Sequence, residues 1–106
     1  MILEDASIGF AAVGSAPRLQ VLKLLVRSGP KGLTIGEIQT RTGIPASTLS
    51  HHLRSLAEGG VIRQLRQGRA VINMAEFDRL RELADYLLTE CCADASAELH
   101  EEHQHG

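Results

Sequence analysis

The nineteen residues from Thr42 to Gly60, TGIPASTLSHHLRSLAEGG, constrain this 106-residue chain more than any other segment. Gly43 and Pro45 break a preceding helical pattern, and Ala46 resumes one that runs without interruption to Gly59. Leu49, Leu53 and Leu56 recur at i, i+4 and i+7, so one face of this helix is core. With about 100° between successive residues, Ser47, His51 and Arg54 point away from that face, and Ser50 and Ser55 lie on its shoulders. An ordinary solvated face carries Glu and Lys. This one carries short hydroxyl donors, an imidazole and a guanidinium fork, the groups that reach phosphates and base edges.

Net charge is -2, which taken alone argues against a polyanionic partner. The distribution reverses that inference. Residues 41–69 hold Arg41, Arg54, Arg63, Arg66 and Arg69 against Glu58 alone, while residues 70–106 hold nine acids against Arg79 and Arg81. Local charge sets a phosphate contact, and the basic segment coincides with the polar-faced helix and the stretch just beyond it.

Capping signals and periodicity place the other elements. Apolar and small residues over 1–13 (Ile2, Leu3, Ile8, Phe10, Val13) suit a short helix that packs on something else and stops at Gly14. Ser15 is an N-cap, Pro17 sits in the first turn of the next helix, and Leu19, Leu22, Leu25 and Val26 predict a broad buried stripe. Thr34 and Glu37 form a capping box, so a third helix starts near Thr34 and ends by Gly43. Beyond Gly59-Gly60 the period becomes two. Val61, Ile62 and Leu65 precede a turn, and Ala70, Val71, Ile72 and Met74 come after it, which predicts a β-hairpin tipped by Arg66-Gln67-Gly68-Arg69. From Glu76 the helical period returns, with Phe77, Leu80, Leu83, Ala84, Leu87 and Leu88 in a band wider than one core stripe.

The fold class is therefore mainly α with a small β-hairpin, with four helices before the hairpin and one after it. Residues 1–92 form the one domain, and residues 93–106 have the composition of an acidic, His-bearing disordered tail. A chain this short, with only 3% aromatic residues, has a modest aliphatic core and is expected to complete it as a homodimer through the last helix, Ile8 and Phe10. No apolar run reaches the length of a membrane span and no leader pattern opens the chain, so no membrane association and a cytoplasmic location are expected. Two adjacent cysteines do not make a disulfide framework. An enzyme is not expected either, since no nucleophile–base pattern or glycine-rich phosphate loop is present.

These residues resemble the ArsR/SmtB family of winged helix-turn-helix repressors. Ser15-Ala16-Pro17-Arg18-Leu19 with Val21-Leu22 and Leu24-Leu25 is similar to the family's second helix. Ser47-Thr48-Leu49-Ser50-His51-His52-Leu53, with Leu56 after it, closely resembles its recognition helix, and Arg66-Gln67-Gly68-Arg69 its wing. The resemblance spans roughly residues 5–92. It implies a homodimer that binds double-stranded operator DNA, through Ser47, Thr48, Ser50, His51, Arg54, Arg66 and Arg69, and releases it on induction.

The family's sensing sites match only in part. A Cys-x-Cys thiolate site in the third helix is absent, since that stretch reads Leu33-Thr34-Ile35-Gly36-Glu37-Ile38. A zinc site along the last helix needs imidazoles where Leu80 and Leu87 stand. What remains is Cys91-Cys92, at the expected end of the last helix, where some arsenic-responsive members carry a similar pair. No cofactor is required, and a trivalent arsenical is the candidate inducer at Cys91 and Cys92. Thiol redox or persulfide sensing, soft-metal sensing on the same fold, and inert packing are the alternatives for the pair. Adjacent side chains on a regular helix diverge by about 100°, so shared ligation is expected to require the last turn to unwind. His52 is expected to pack rather than contact DNA. His100, His103 and His105 lie among Glu98, Glu101 and Glu102, as a solvated tail or a loose nickel or zinc site.

Overall fold

The computed structural model describes residues 1–95. Helix α1 spans Leu3–Val13 and ends at Gly14. Helix α2 spans Ala16–Ser28, with the Ser15 hydroxyl accepting from the Arg18 amide at 3.3 Å. A single 3₁₀ turn, Gly29–Lys31, leads to strand β1, Leu33–Thr34. Helix α3, Ile35–Thr42, opens on the full capping box: Thr34 Oγ1 accepts from the Glu37 amide, and the Glu37 carboxylate accepts from the Thr34 amide at 2.9 Å. Helix α4 covers Ala46–Glu58, strands β2 and β3 cover Ile62–Gln67 and Ala70–Ala75, and helix α5 covers Phe77–Leu88. This is the mainly helical winged fold that the sequence predicts. The predicted tail from residue 96 onward lies outside the described residues.

The sheet has one strand more than the hairpin. Its order is β1-β3-β2, fully antiparallel, with Leu33 opposite Asn73 and Thr34 opposite Ile72. A two-residue strand displays no period, so only the pairing reveals it. The hairpin itself is tight. Gln67 pairs with Ala70, leaving Gly68 and Arg69 as a two-residue loop. Gly68 supplies the positive φ of +62° that the first central position of a type II′ turn demands.

The core is aliphatic. Leu49, Leu53 and Leu56 of α4 lie fully buried against Val21, Leu22 and Leu25 of α2, Ile38 of α3, and Val61 and Ile62 at the start of the wing. The α2 stripe is rotated from the predicted one, because Leu19 and Val26 are exposed and Val21 takes the inner position. With apolar residues on most of its circumference, α2 is oriented by what packs on it rather than by its own period. Helix α1 lies across the ends of α4 and α5, where small residues permit close approach. An added Cβ at Gly59 would overlap the Ala12 Cβ, and one at Gly9 would meet the Leu83 methyls at 3.0 Å.

The broad apolar band of α5 divides. Leu83 is buried within the chain, Phe77, Leu80 and Tyr86 pack partly on the core, and Leu87 and Leu88 point outward at 67% and 63% exposure. Of the two α1 residues expected to join them, Ile8 is exposed and Phe10 packs on the core. No helix among the described residues is long and apolar enough to cross a membrane.

Candidate nucleic-acid interface

The turn between α3 and α4 fixes how the polar face is presented. Gly43 adopts a left-handed conformation (φ 74°, ψ 5°) and its amide closes on the Gln39 carbonyl at 2.8 Å. Thr42 Oγ1 donates to the Ile38 carbonyl and accepts from the Ile44 amide, while Pro45 stands as the N-cap of α4. Three residues thus join two helices that share a core, which is the helix-turn-helix arrangement. With Leu49, Leu53 and Leu56 held inside, Ser47, Thr48, Ser50, His51 and Arg54 are all exposed. His52 is half-buried, in keeping with a packing position, and its buried Nδ1 has no partner among the described residues.

The wing presents its arginines on different faces. Paired residues of an antiparallel ladder share a face, and successive residues along a strand change face. Arg66 pairs with Val71 and therefore lies on the same face as Gln64 and Asn73, two residues back along the ladder. That face meets α4 across a cleft of about 310 Å³, lined by Ser50, Leu53 and Arg54 from the helix and Gln64, Val71 and Asn73 from the wing. Arg63 lies on the opposite face, where it contacts Met74 Sδ at 3.5 Å and pairs with Glu76 at 3.7 Å. Arg69 occupies the tip. The structure thus brings Ser50, Arg54 and Gln64 to one cleft, places Arg66 next to Gln64 on the same strand face, and turns Arg63 to the other face.

Sequence reasoning missed Gln64. Its Nε2 donates to Asn73 Oδ1 at 2.8 Å, and Asn73 Nδ2 donates to the Leu33 carbonyl at 3.2 Å. The signal available was its i, i+2 relation to Arg66, which places both on one strand face.

Cys91 and Cys92 lie beyond α5 rather than in its last turn. The helix ends at Leu88, and successive tight turns continue the chain, with the Cys91 amide bonded to the Leu88 carbonyl and the Ala93 amide to Glu90. Cys92 holds a positive φ of 63°, and the two sulfurs converge to 3.5 Å, both exposed. Hydrogen bonding to the Cys91 sulfur, with a smaller effect of desolvation, holds the Cys92 thiol above its ordinary value. Convergence here needs no unwinding of a helical turn, contrary to the expectation from a regular helix. Among the described residues, no three His, Cys, Asp or Glu side chains gather as a metal-holding group.

A hydroxyl-, imidazole- and guanidinium-bearing helix presented by a tight turn beside an arginine-tipped wing defines a winged helix-turn-helix DNA-binding protein. Residues 14–64 match a helix-turn-helix domain family. The chain is 31% identical over 80 residues to an uncharacterized HTH-type transcriptional regulator of Methanocaldococcus jannaschii, covering 76% of this chain and 88% of that protein. It belongs to the helix-turn-helix transcriptional regulators, and these relatives are regulators rather than enzymes. Among solved structures it is similar to an ArsR-like transcriptional regulator from Rhodococcus sp. RHA1, with TM-score 0.74, 22% identity, and coverage of 95% of this chain and 92% of that one. It is also similar to the homodimeric winged helix-turn-helix DNA-binding domain of a possible ArsR-family regulator from Mycobacterium bovis, with TM-score 0.66, 26% identity, and coverage of 84% and 82%.

Proposed function

We propose that this chain is a cytoplasmic, homodimeric repressor of the ArsR type that binds operator DNA and releases it on capturing a trivalent arsenical. The observation that carries the DNA reading is the exposed row Ser47, Thr48, Ser50, His51 and Arg54 on α4, of which Ser50 and Arg54 line a cleft with Gln64, on the wing face that also carries Arg66. Two such helices in a two-fold dimer enter successive major grooves about one helical turn apart, while Arg66 and Arg69 neutralise phosphates. The likeness to the Mycobacterium bovis domain supports the ArsR assignment and the dimer. Exposed Ile8, Leu87 and Leu88 supply apolar surface that a second copy would cover.

The sensing reading rests on the sulfur geometry. A centre bonded to both sulfurs at about 2.3 Å, the zinc–thiolate length, subtends about 100° across their 3.5 Å separation. That suits a pyramidal trivalent centre. Two thiols satisfy a methylated arsenical whose third bond is to carbon: two As–S bonds form, two As–O bonds break, and two hydroxides leave as water. Operator binding titrated with a trivalent methylarsenical tests this. Cys91→Ser and Cys92→Ser should each keep DNA binding and lose release. Normal release from the double variant would place the sensor elsewhere. A Ser47, Ser50 and His51 triple alanine variant that still bound operator at full affinity would remove the DNA assignment.

A further inference from the structure

We propose that Gln64 is a DNA-backbone contact in the cleft between α4 and the wing, and that Asn73 is the positioning residue that aims it. This rests on the DNA-binding reading above. Among the described residues, Asn73 is the buried polar one, at 1% exposure. Burying an amide is costly unless its hydrogen bonds are made, and here they are made in a fixed order. The Leu33 carbonyl can only accept, so the Asn73 NH₂ must face it. The Asn73 Oδ1 is thereby turned toward the wing, where it can only accept, so Gln64 must present its own NH₂ to it. Both amide orientations are set by one backbone oxygen on β1.

The consequence falls on the exposed side of Gln64. With one N–H committed inward, the second N–H and Oε1 have no partner among the described residues, on a residue that lines the same cleft as Ser50 and Arg54. Arg66 comes next on the same strand face. A sugar-phosphate strand running between a recognition helix and a wing would meet a hydroxyl, a guanidinium and an oriented amide. The amide differs from the arginines in one measurable respect: being neutral, it contacts a phosphate without releasing a counterion.

The test uses a duplex recovered by the wild-type full chain from a randomised pool, with affinities measured across a salt series. Gln64→Met, which keeps the stem and removes the amide, should weaken binding about three- to tenfold with the salt slope unchanged. Asn73→Leu should give a similar loss, and the double variant should be no weaker than the worse single one. Wild-type affinity in Gln64→Met overturns the contact. Losses that multiply in the double variant, or a shallower salt slope in Asn73→Leu, overturn the positioning role, because either means that Asn73 merely holds the wing and its arginines. Should Asn73→Leu not fold, the wild-type Gln64 side-chain amide resonances decide: they should shift when the duplex is added, and unmoved resonances overturn the contact. Arg54→Ala separates the two levels. If it loses binding while Gln64→Met does not, the DNA reading stands and this inference falls, whereas failure of the wild-type chain to recover any duplex removes both.

Discussion

The sulfurs of Cys91 and Cys92 stand 3.5 Å apart outside any helix, with Cys92 at a φ of +63°. The thiolate is the reactive form of cysteine, and the Cys91 sulfur holds the Cys92 thiol above its ordinary value, chiefly by hydrogen bonding. Cys92 should therefore alkylate slowly at neutral pH and faster as pH rises. Cys91→Ala removes that partner, lowers the Cys92 value and speeds alkylation at neutral pH. Mass spectrometry after timed iodoacetamide treatment reads this directly, and equal Cys92 rates in the two proteins would contradict it.

Gly59 and Ala12 make the close approach of α4 and α1. Gly59 has an ordinary helical φ of -74°, so a side chain there is excluded by packing, not by backbone strain. Gly59→Ala should cost about 1–3 kcal/mol, as overpacking does elsewhere. Ala12→Gly in the same chain should recover part of that loss by vacating the space. Chemical denaturation of the two single variants and the double one measures the coupling, and a Gly59→Ala variant as stable as wild type would sink the idea.

The capping box links α3 to pH. The Glu37 carboxyl is held below its ordinary value, first by the Thr34 amide and then by the Thr34 hydroxyl. A lowered folded value means that the contribution of Glu37 is present above the usual glutamate range and is lost as pH falls through the folded value. Thr34→Ala should cost about 1 kcal/mol near neutrality. The stability difference between wild type and Glu37→Gln should narrow on acidification. Melting curves at neutral and acid pH check both, and a difference that widened in acid would contradict the sign.

Legibility in the sequence tracks signal length. The Leu49, Leu53 and Leu56 stripe, the Gly43-Pro45 break and the Thr34–Glu37 box each involve several residues at fixed spacing, and the structure holds all three as read. Strand β1 is invisible in the sequence because two residues carry no period and its partner lies about forty positions away. The orientation of α2 is misjudged from sequence because Leu19, Val21, Leu22, Leu24, Leu25 and Val26 offer more than one apolar stripe, and tertiary contact chooses among them. The end of α5 is equally hidden. No glycine or proline stops the helical pattern before Cys91, so the helix ends where packing does, at exposed Leu87 and Leu88. For Gln64 the i, i+2 relation to Arg66 gives the strand face, but its hydrogen bond to Asn73 is hidden until the strand register places the two side by side.

The wing arginines divide by strand face, and salt dependence should reveal it. Arg66 shares the face of Gln64 and Val71, both of which line the cleft, and Arg69 occupies the tip. Arg63 is turned the other way and engages Met74 and Glu76. Each arginine that neutralises a phosphate contributes about one unit to the salt slope of binding. Arg66→Ala and Arg69→Ala should each flatten the slope by about that amount and weaken specific and random duplexes alike. Arg54→Ala on α4 should instead cost about 1–3 kcal/mol on the specific duplex and less on random DNA, if its guanidinium reads a base edge. Arg63→Ala should leave both slope and specificity near wild type, because its exposed pair with Glu76 is worth little and faces away from the cleft. Filter binding or fluorescence anisotropy across a salt series distinguishes the four variants, and an Arg63→Ala slope as flat as that of Arg66→Ala would show that the wing meets DNA with its other face.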